Sequence, residues 1–226
     1  MRKTIVCLAN SYKHGGRCVA GICLDDGSWV RLRGKAADGA LEASEYSLTG
    51  VAEAKGSEVR LLDVIEVDLH YSQPSDAHPE DWVIAPVRWR LQERPITDAQ
   101  WGSMSTAVDK GATILRGYRD RMAAAELRDK ALEASLMLVC PSEVWWWVRE
   151  ERGMRKYRAL FRRHHVTYDF AVTDPRWIER LQLMPCGIYP TSMFVDKGSE
   201  VWLTVSLSEA FYGWHYKLVA AVIVRG

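Results

Sequence analysis

The sequence predicts a mainly β chain: two small five-stranded barrels, residues 1–95 and 136–226, joined by a helical connector, 96–135. Three observations predict it. Short stretches that alternate apolar and polar residues recur in both halves, separated by turn signals such as Asp26-Gly27. An Ala-rich stretch of good helix formers stands between the halves. Each half carries about five strand-like stretches, the count of an OB-fold, a Greek-key barrel that binds oligonucleotides on one face, although periodicity alone does not separate it from a PUA-like or SH3-like barrel.

In the first half, residues 3–9 are an apolar run ending at Asn10. Residues 17–24 are small and apolar, and Asp25-Asp26-Gly27 turns the chain back. Residues 28–33 alternate, with Trp29, Arg31 and Arg33 on one face and Val30 and Leu32 on the other. Residues 34–57 are polar and rich in Gly, Ala and Ser, so a long loop is expected there. Residues 61–70 alternate again. Residues 82–91 make a fifth strand, interrupted by Pro86, which favours an edge or a bulge. A helix start is expected near Thr97-Asp98, and 119–135 reads as helix.

In the second half, residues 143–149 place Val144, Trp146 and Val148 on one face, with Trp145, Trp147 and Arg149 on the other. Trp146 is expected in the core. Trp145 and Trp147 form either a second packed layer or a stacking platform, and packing is the commoner use of such rings. A charged turn containing Gly153 leads to 156–162, where Tyr157, Ala159 and Phe161 oppose Arg158, Leu160 and Arg162. Residues 165–173 alternate, and Asp174-Pro175 starts a short helix through about Leu183, with Pro175 at its first position. Residues 200–207 and 216–224 are the last two strands.

Composition excludes several classes. Thirty Lys and Arg against twenty-nine Asp and Glu leave a net charge of +1, so any electrostatic partner must meet a local patch. The five cysteines form no CxxC pair and are expected as buried thiols in a reducing cytoplasm. The opening apolar run is too short for a signal peptide, and no stretch approaches eighteen apolar residues, so no membrane partner is expected. There is no P-loop, GxGxxG, HExxH or GxSxG motif. His164-His165 on a strand would face opposite ways, as would Cys18 and Cys23, so no metal and no cofactor are expected. Nothing local marks Ser206 as activated in a trio with Asp174 and His215, and no catalytic residue is assigned.

Charge concentrates in two segments. Residues 1–35 hold seven basic residues against two acidic, and residues 149–165 repeat that ratio. Interleaved aromatics suit a phosphate-bearing ligand, with charge holding the backbone and rings stacking the bases. The segment Asn10-Ser11-Tyr12-Lys13-His14-Gly15-Gly16-Arg17 reads as a loop whose backbone N–H groups form an anion nest. Asn10, Ser11, Lys13, Gly16 and Arg17 are expected to line the main pocket, with Arg31 close by. Asp174, Ser206, Tyr216 and Lys217 are expected to complete it from one rim of the second barrel, reading a base or ribose.

Thr4-Ile5-Val6-Cys7-Leu8-Ala9-Asn10-Ser11 with Lys13, then Gly16 to Gly21, then Gly27-Ser28-Trp29-Val30-Arg31, resemble the N-terminal signature of the dual OB-containing (DuOB) domain family of bacterial proteins. Tyr168 to Pro175, Val205-Ser206-Leu207 and Tyr216 to Ala221 resemble that family's C-terminal pattern. The resemblance implies paired OB-folds that bind a nucleotide or nucleic acid, often beside anti-phage or mobile-element conflict genes, with an effector protein as a further partner. It carries over no catalytic residue. A non-catalytic binding or sensing module is therefore the expected function. Two alternatives stay open: an enzyme acting on a nucleotide or modified base through Asp174, Lys217 or His215, and an adaptor that uses exposed Trp as protein hot spots.

Overall fold

The computed structural model describes residues 1–13, 15–49, 57–105 and 111–226. His14, residues 50–56 of the expected loop and 106–110 of the expected connector lie outside the described residues. The chain divides into two compact units, Met1–Ala107 and Val108–Gly226. The division falls inside the segment expected to be a separate connector, whose first helix goes with one unit and whose remainder goes with the other.

The first unit contains β1 (Arg2–Lys13), β2 (Gly16–Cys23), β3 (Trp29–Arg33), β4 (Leu48–Thr49), β5 (Val64–Ser72), β6 (Asp81–Ile84), β7 (Trp89–Glu93) and helix α1 (Asp98–Ser105). The strands order β1-β2-β3-β6-β5, and β5 pairs back on β1, so five strands close into a barrel. β3 and β6 run parallel and the other neighbours in the ring antiparallel. β1 lies between β2 and β5, and its Ile5–Ala9 run is buried on both faces, so it is continuous rather than alternating. Closure needs a tight crossing. A Cβ on Gly21 would stand 2.0 Å from the Val6 carbonyl oxygen, so only glycine fits. The core is mostly aliphatic, with Ile5, Val19, Val30, Leu32, Ile65 and Val67 around Trp89.

The second unit contains β8 (Arg121–Ala123), α2 (Ala124–Asp129), β9 (Leu136–Val139), β10 (Glu143–Glu151), β11 (Met154–Arg163), β12 (Val166–Val172), α3 (Pro175–Leu181), β13 (Gly187–Pro190), β14 (Glu200–Leu207) and β15 (Trp214–Arg225). The strands order β13-β10-β11-β12-β15-β14-β9, with β8 beside β15. Within this, β10-β11-β12-β15-β14 repeats the first barrel's order, including the parallel pair β12 and β15. The β1–β5 closure has no counterpart: β10 pairs with β13 and β14 with β9. The core here is aromatic. Phe161 sits 5.4 Å from both Tyr168 and Phe170, and Trp146 meets Trp177 of α3 at 4.6 Å. Such ring pairs add about 1 kcal/mol each beyond their area.

Several expectations are corrected. The first strand does not end at Asn10 but runs to Lys13, so the expected nest is mostly a β-hairpin, with Lys13 opposite Gly16 and Ser11 opposite Cys18. Residues 82–91 are two strands, β6 and β7, parted around Pro86. The helix expected over 119–135 shrinks to Ala124–Asp129, because Arg121–Ala123 pair with Trp214–Tyr216 instead. Tertiary pairing outweighs helix propensity there. His164 and His165 form the turn between β11 and β12, with His164 at φ 53°, rather than lying on a strand. The thiols are not uniformly buried: Cys7 and Cys23 are, whereas Cys140 and Cys186 are exposed.

Candidate nucleic-acid interface

The β10–β11 hairpin turns at Arg152-Gly153, both at positive φ, and this fixes its register. Trp147 stands opposite Arg158, Trp145 opposite Leu160, Arg149 opposite Lys156 and Glu143 opposite Arg162. Burial alternates along β10: Val144, Trp146 and Val148 are buried, whereas Trp145 keeps 38% of its surface exposed. One outward face therefore carries two indoles among four basic side chains.

The geometry of this face is held from both sides. The Arg149 guanidinium lies 4.4 Å from the Trp147 ring centre and pairs with Glu151 at 2.8 Å. Its Nε is buried with no hydrogen-bond partner. Arg158 pairs with Asp169 on β12 and lies 3.7 Å from Asp120. Arg162 is exposed and only loosely paired, 3.8 Å from Glu143. Beneath the face, the Trp146 indole N–H donates to Thr191 Oγ1 at 3.0 Å, and Thr191 donates to the Val144 carbonyl at 2.6 Å, locking β10 in place. The loop from β14 to β15, at the end of the barrel where β12 begins, exposes Phe211 and Tyr212, their rings 4.5 Å apart.

The residues expected to bind ligand fall into different settings. Asn10 Nδ2 donates to the Val59 carbonyl at 2.9 Å, and Ser11 is buried in β1. Lys13 and Gly16 face each other beside the hairpin turn, where Gly15 takes φ 89°. Gly16 is required by crowding, since a Cβ there would lie 2.6 Å from the Leu41 carbonyl oxygen. Arg17 stacks 4.6 Å from the ring centre of exposed Tyr12, reaches Glu58 at 3.7 Å, and keeps Nη1 buried without a hydrogen bond. Arg31 is only 3% exposed and grips Asp81 through two bonds of 2.6 and 3.0 Å. Arg33 adds a third contact to the same carboxylate at 2.8 Å.

In the second unit, Asp174 caps α3. Its Oδ1 accepts from the Arg176 and Trp177 N–H groups and its Oδ2 from Val222 N–H at 2.8 Å. Burial raises its carboxyl above the usual range, against the pull of those three donors. Ser206 is buried near the end of β14, between Leu136 and Leu218. Tyr216 is half-buried, and its N–H donates to Ser208 Oγ. Lys217 is 1% exposed and donates to the carbonyls of Ile114 (2.6 Å) and Gly117 (2.8 Å). Burial pushes its pKa down to about 8. His215 Nδ1 meets the Ser208 carbonyl at 2.8 Å. Arg31, Asp174, Ser206 and Lys217 are thus built into the fold.

The face on β10–β11 brings the basic segment 149–165 together with Trp145 and Trp147, the pair for which a stacking platform was one of two expected roles; none of these residues stood in the expected pocket. Counting outward from Arg152-Gly153 pairs position 147 with 158 and 149 with 156. Among the described residues, no cluster of His, Cys, Asp and Glu could hold a metal, and no helix is long and apolar enough to cross a membrane.

No curated protein matches the chain. The crystal structure of the tetrameric p202 HIN2 is similar at 10% identity, over 100% of this chain and 91% of that one, with a TM-score of 0.28, too low to carry any argument. The dual OB-containing domain family matches residues 3–222, the span of both barrels, and the chain belongs to that family.

Proposed function

We propose that the chain is a binding module for single-stranded nucleic acid and that the outer face of β10 and β11 is its main contact surface. One observation carries this: the hairpin register sets Trp145 and Trp147 among Arg149, Lys156, Arg158 and Arg162 on an exposed face. Indoles stack on bases of any sequence, and the flanking cations hold the phosphates. Single strands suit this face better than duplexes, because stacking needs unpaired bases. The OB architecture supports the reading, since such barrels bind oligonucleotides on a strand face. Phe211 and Tyr212 supply further rings at one end. In the first barrel, the Tyr12–Arg17 stack beside Lys13 and Gly16 is the corresponding contact, smaller and partly neutralised by Glu58.

The module acts by binding, and the role in bacterial anti-phage or mobile-element conflict implied by the family pattern belongs to this same proposal. Anisotropy titration of labelled single-stranded and duplex oligonucleotides tests it. The single strand binds more tightly, and its affinity falls linearly on a log–log plot against salt. Affinity equal for both forms, or flat with salt, would refute the reading.

A further inference from the structure

The second barrel has a seam that the first lacks. In the first, β1 and β5 zip together from Arg2–Asp68 to Val6–Val64. The equivalent strands of the second, β10 and β14, are each paired elsewhere on that side. β13 covers Trp145–Val148 of β10, and β9 covers Leu203–Ser206 of β14. The ladders to β13 and β9 stop short of the starts of both strands, Glu143–Val144 and Glu200–Trp202. A cavity of about 370 Å³ opens between them, floored by the β9-to-β10 link at Cys140–Ser142 and walled by Pro190–Ser192 and Ser199–Val201.

We propose that this cavity is a pocket for one nucleobase bearing an exocyclic amine, adenine, cytosine or guanine. The proposal rests on the reading of the adjoining face as a nucleic-acid surface. Trp145 belongs to both, so a base that leaves the stack over β10 enters the pocket next to it. The volume is that of a small-ligand site. The uncovered edge of β14 spans only Glu200–Trp202, shorter than the five or six residues of an ordinary strand, so it does not suit an added peptide strand.

The chemistry of the wall selects the ligand. It carries two carboxylates, Glu143 and Glu200, with serine and threonine hydroxyls and no Lys or Arg. Such a wall repels phosphate and accepts hydrogen bonds from amine donors, as a carboxylate does from the cytosine amine. Both carboxylates are held lightly: Glu200 accepts from Trp202 Nε1 at 3.4 Å, and Glu143 lies 3.8 Å from Arg162. Their charge is felt in the pocket. The Cys140 thiol is raised by burial and by Glu200. Uracil and thymine have no exocyclic amine and offer the two carboxylates a single N3–H, so they gain less from this wall.

Cys140 is exposed enough to report on occupancy, and exposed Cys186, outside the pocket lining, is the internal reference. The full chain is alkylated with iodoacetamide in graded cytidine, adenosine, guanosine, uridine or spermidine, and both thiols are followed by peptide mass spectrometry. The amine-bearing nucleosides slow alkylation of Cys140 and leave Cys186 unchanged; uridine protects Cys140 far less and also leaves Cys186 unchanged. Glu143→Gln and Glu200→Gln each raise the concentration needed for protection about tenfold. Glu200→Gln, whose carboxylate lies off the β10–β11 face, shifts affinity for an oligo-uridine strand by less than about twofold. Equal protection by uridine, protection by spermidine, or no protection overturns the pocket. A strand that binds without nucleoside protection overturns the pocket alone. Nucleoside protection without strand binding sustains the pocket and refutes the reading of the adjoining face.

Discussion

The two barrels share a strand order and differ in how they spend their charge. In the first, five of the seven basic residues of the opening segment pair with carboxylates among the described residues of the same unit. Arg2 meets Glu66 and Asp68, Lys3 meets Asp26, Arg17 meets Glu58, and Arg31 and Arg33 share Asp81. In the second, the β10–β11 hairpin keeps Arg162 loosely held and sets its cations beside indoles. Both segments count seven basic residues against two acidic, and both hold ion pairs, but the first buries Arg31 against Asp81 whereas the second leaves Arg162 exposed and lays Arg149 over an indole. A local charge excess is therefore not a patch until the partners of each charge are known.

The largest effect expected from this difference is on stability. Arg31→Ala leaves Asp81 buried with Arg33 alone, and such a broken buried pair costs about 3–5 kcal/mol. Arg162→Ala, which removes the loosely paired cation of the exposed face, costs about 1 kcal/mol or less. Urea unfolding of both variants checks the contrast, and equal losses would erase the distinction between the barrels.

Binding should divide the other way. Trp147→Ala and Trp145→Ala each weaken single-strand affinity by about tenfold, because each removes a ring worth about 1–3 kcal/mol of stacking. Tyr12→Ala and Arg17→Ala weaken it less. If Arg17→Ala matched the tryptophan variants in the same anisotropy assay, the first barrel would be the main contact surface.

Lys217 sharpens the picture of the second barrel's interior. Its pKa of about 8 lies below the ordinary lysine value of 10.5. Between these two pH values the unfolded chain holds a proton that the folded chain has released, so stability rises with pH across that window. Measured against Lys217→Met, the unaltered chain should gain about 1–3 kcal/mol from pH 8 to 10.5. A difference that shrinks with rising pH would contradict the burial of a charged amine.

At Asp174 the effect is confined to stability. Its loss removes the α3 cap and orphans the Val222 N–H, so Asp174→Ala costs about 1–2 kcal/mol. Nucleic-acid affinity is unchanged in a chain that stays folded. A fall in affinity without a fall in stability would return Asp174 to the binding surface.

Much of this was legible in the residues. Alternation placed Trp146 inward and Trp145, Trp147 and Arg149 outward, because a strand has a period of two. Pro175 began a helix where its missing N–H does no harm, with Asp174 as the cap. The family pattern and the barrel count pointed to paired OB-folds, and residues 3–222 match that family. Pairing across long sequence distances was decided only by the tertiary structure. Nothing near Arg31 announces that Asp81 will take its charge, because the parallel pairing of β3 with β6 brings them together across fifty residues. Lys217, expected at the pocket rim, is instead taken up by the carbonyls of Ile114 and Gly117, about a hundred residues away in the chain. The open seam between β10 and β14 also lies beyond local reading. Periodicity reports which face a residue takes, and only the assembled sheet decides which edges find a partner.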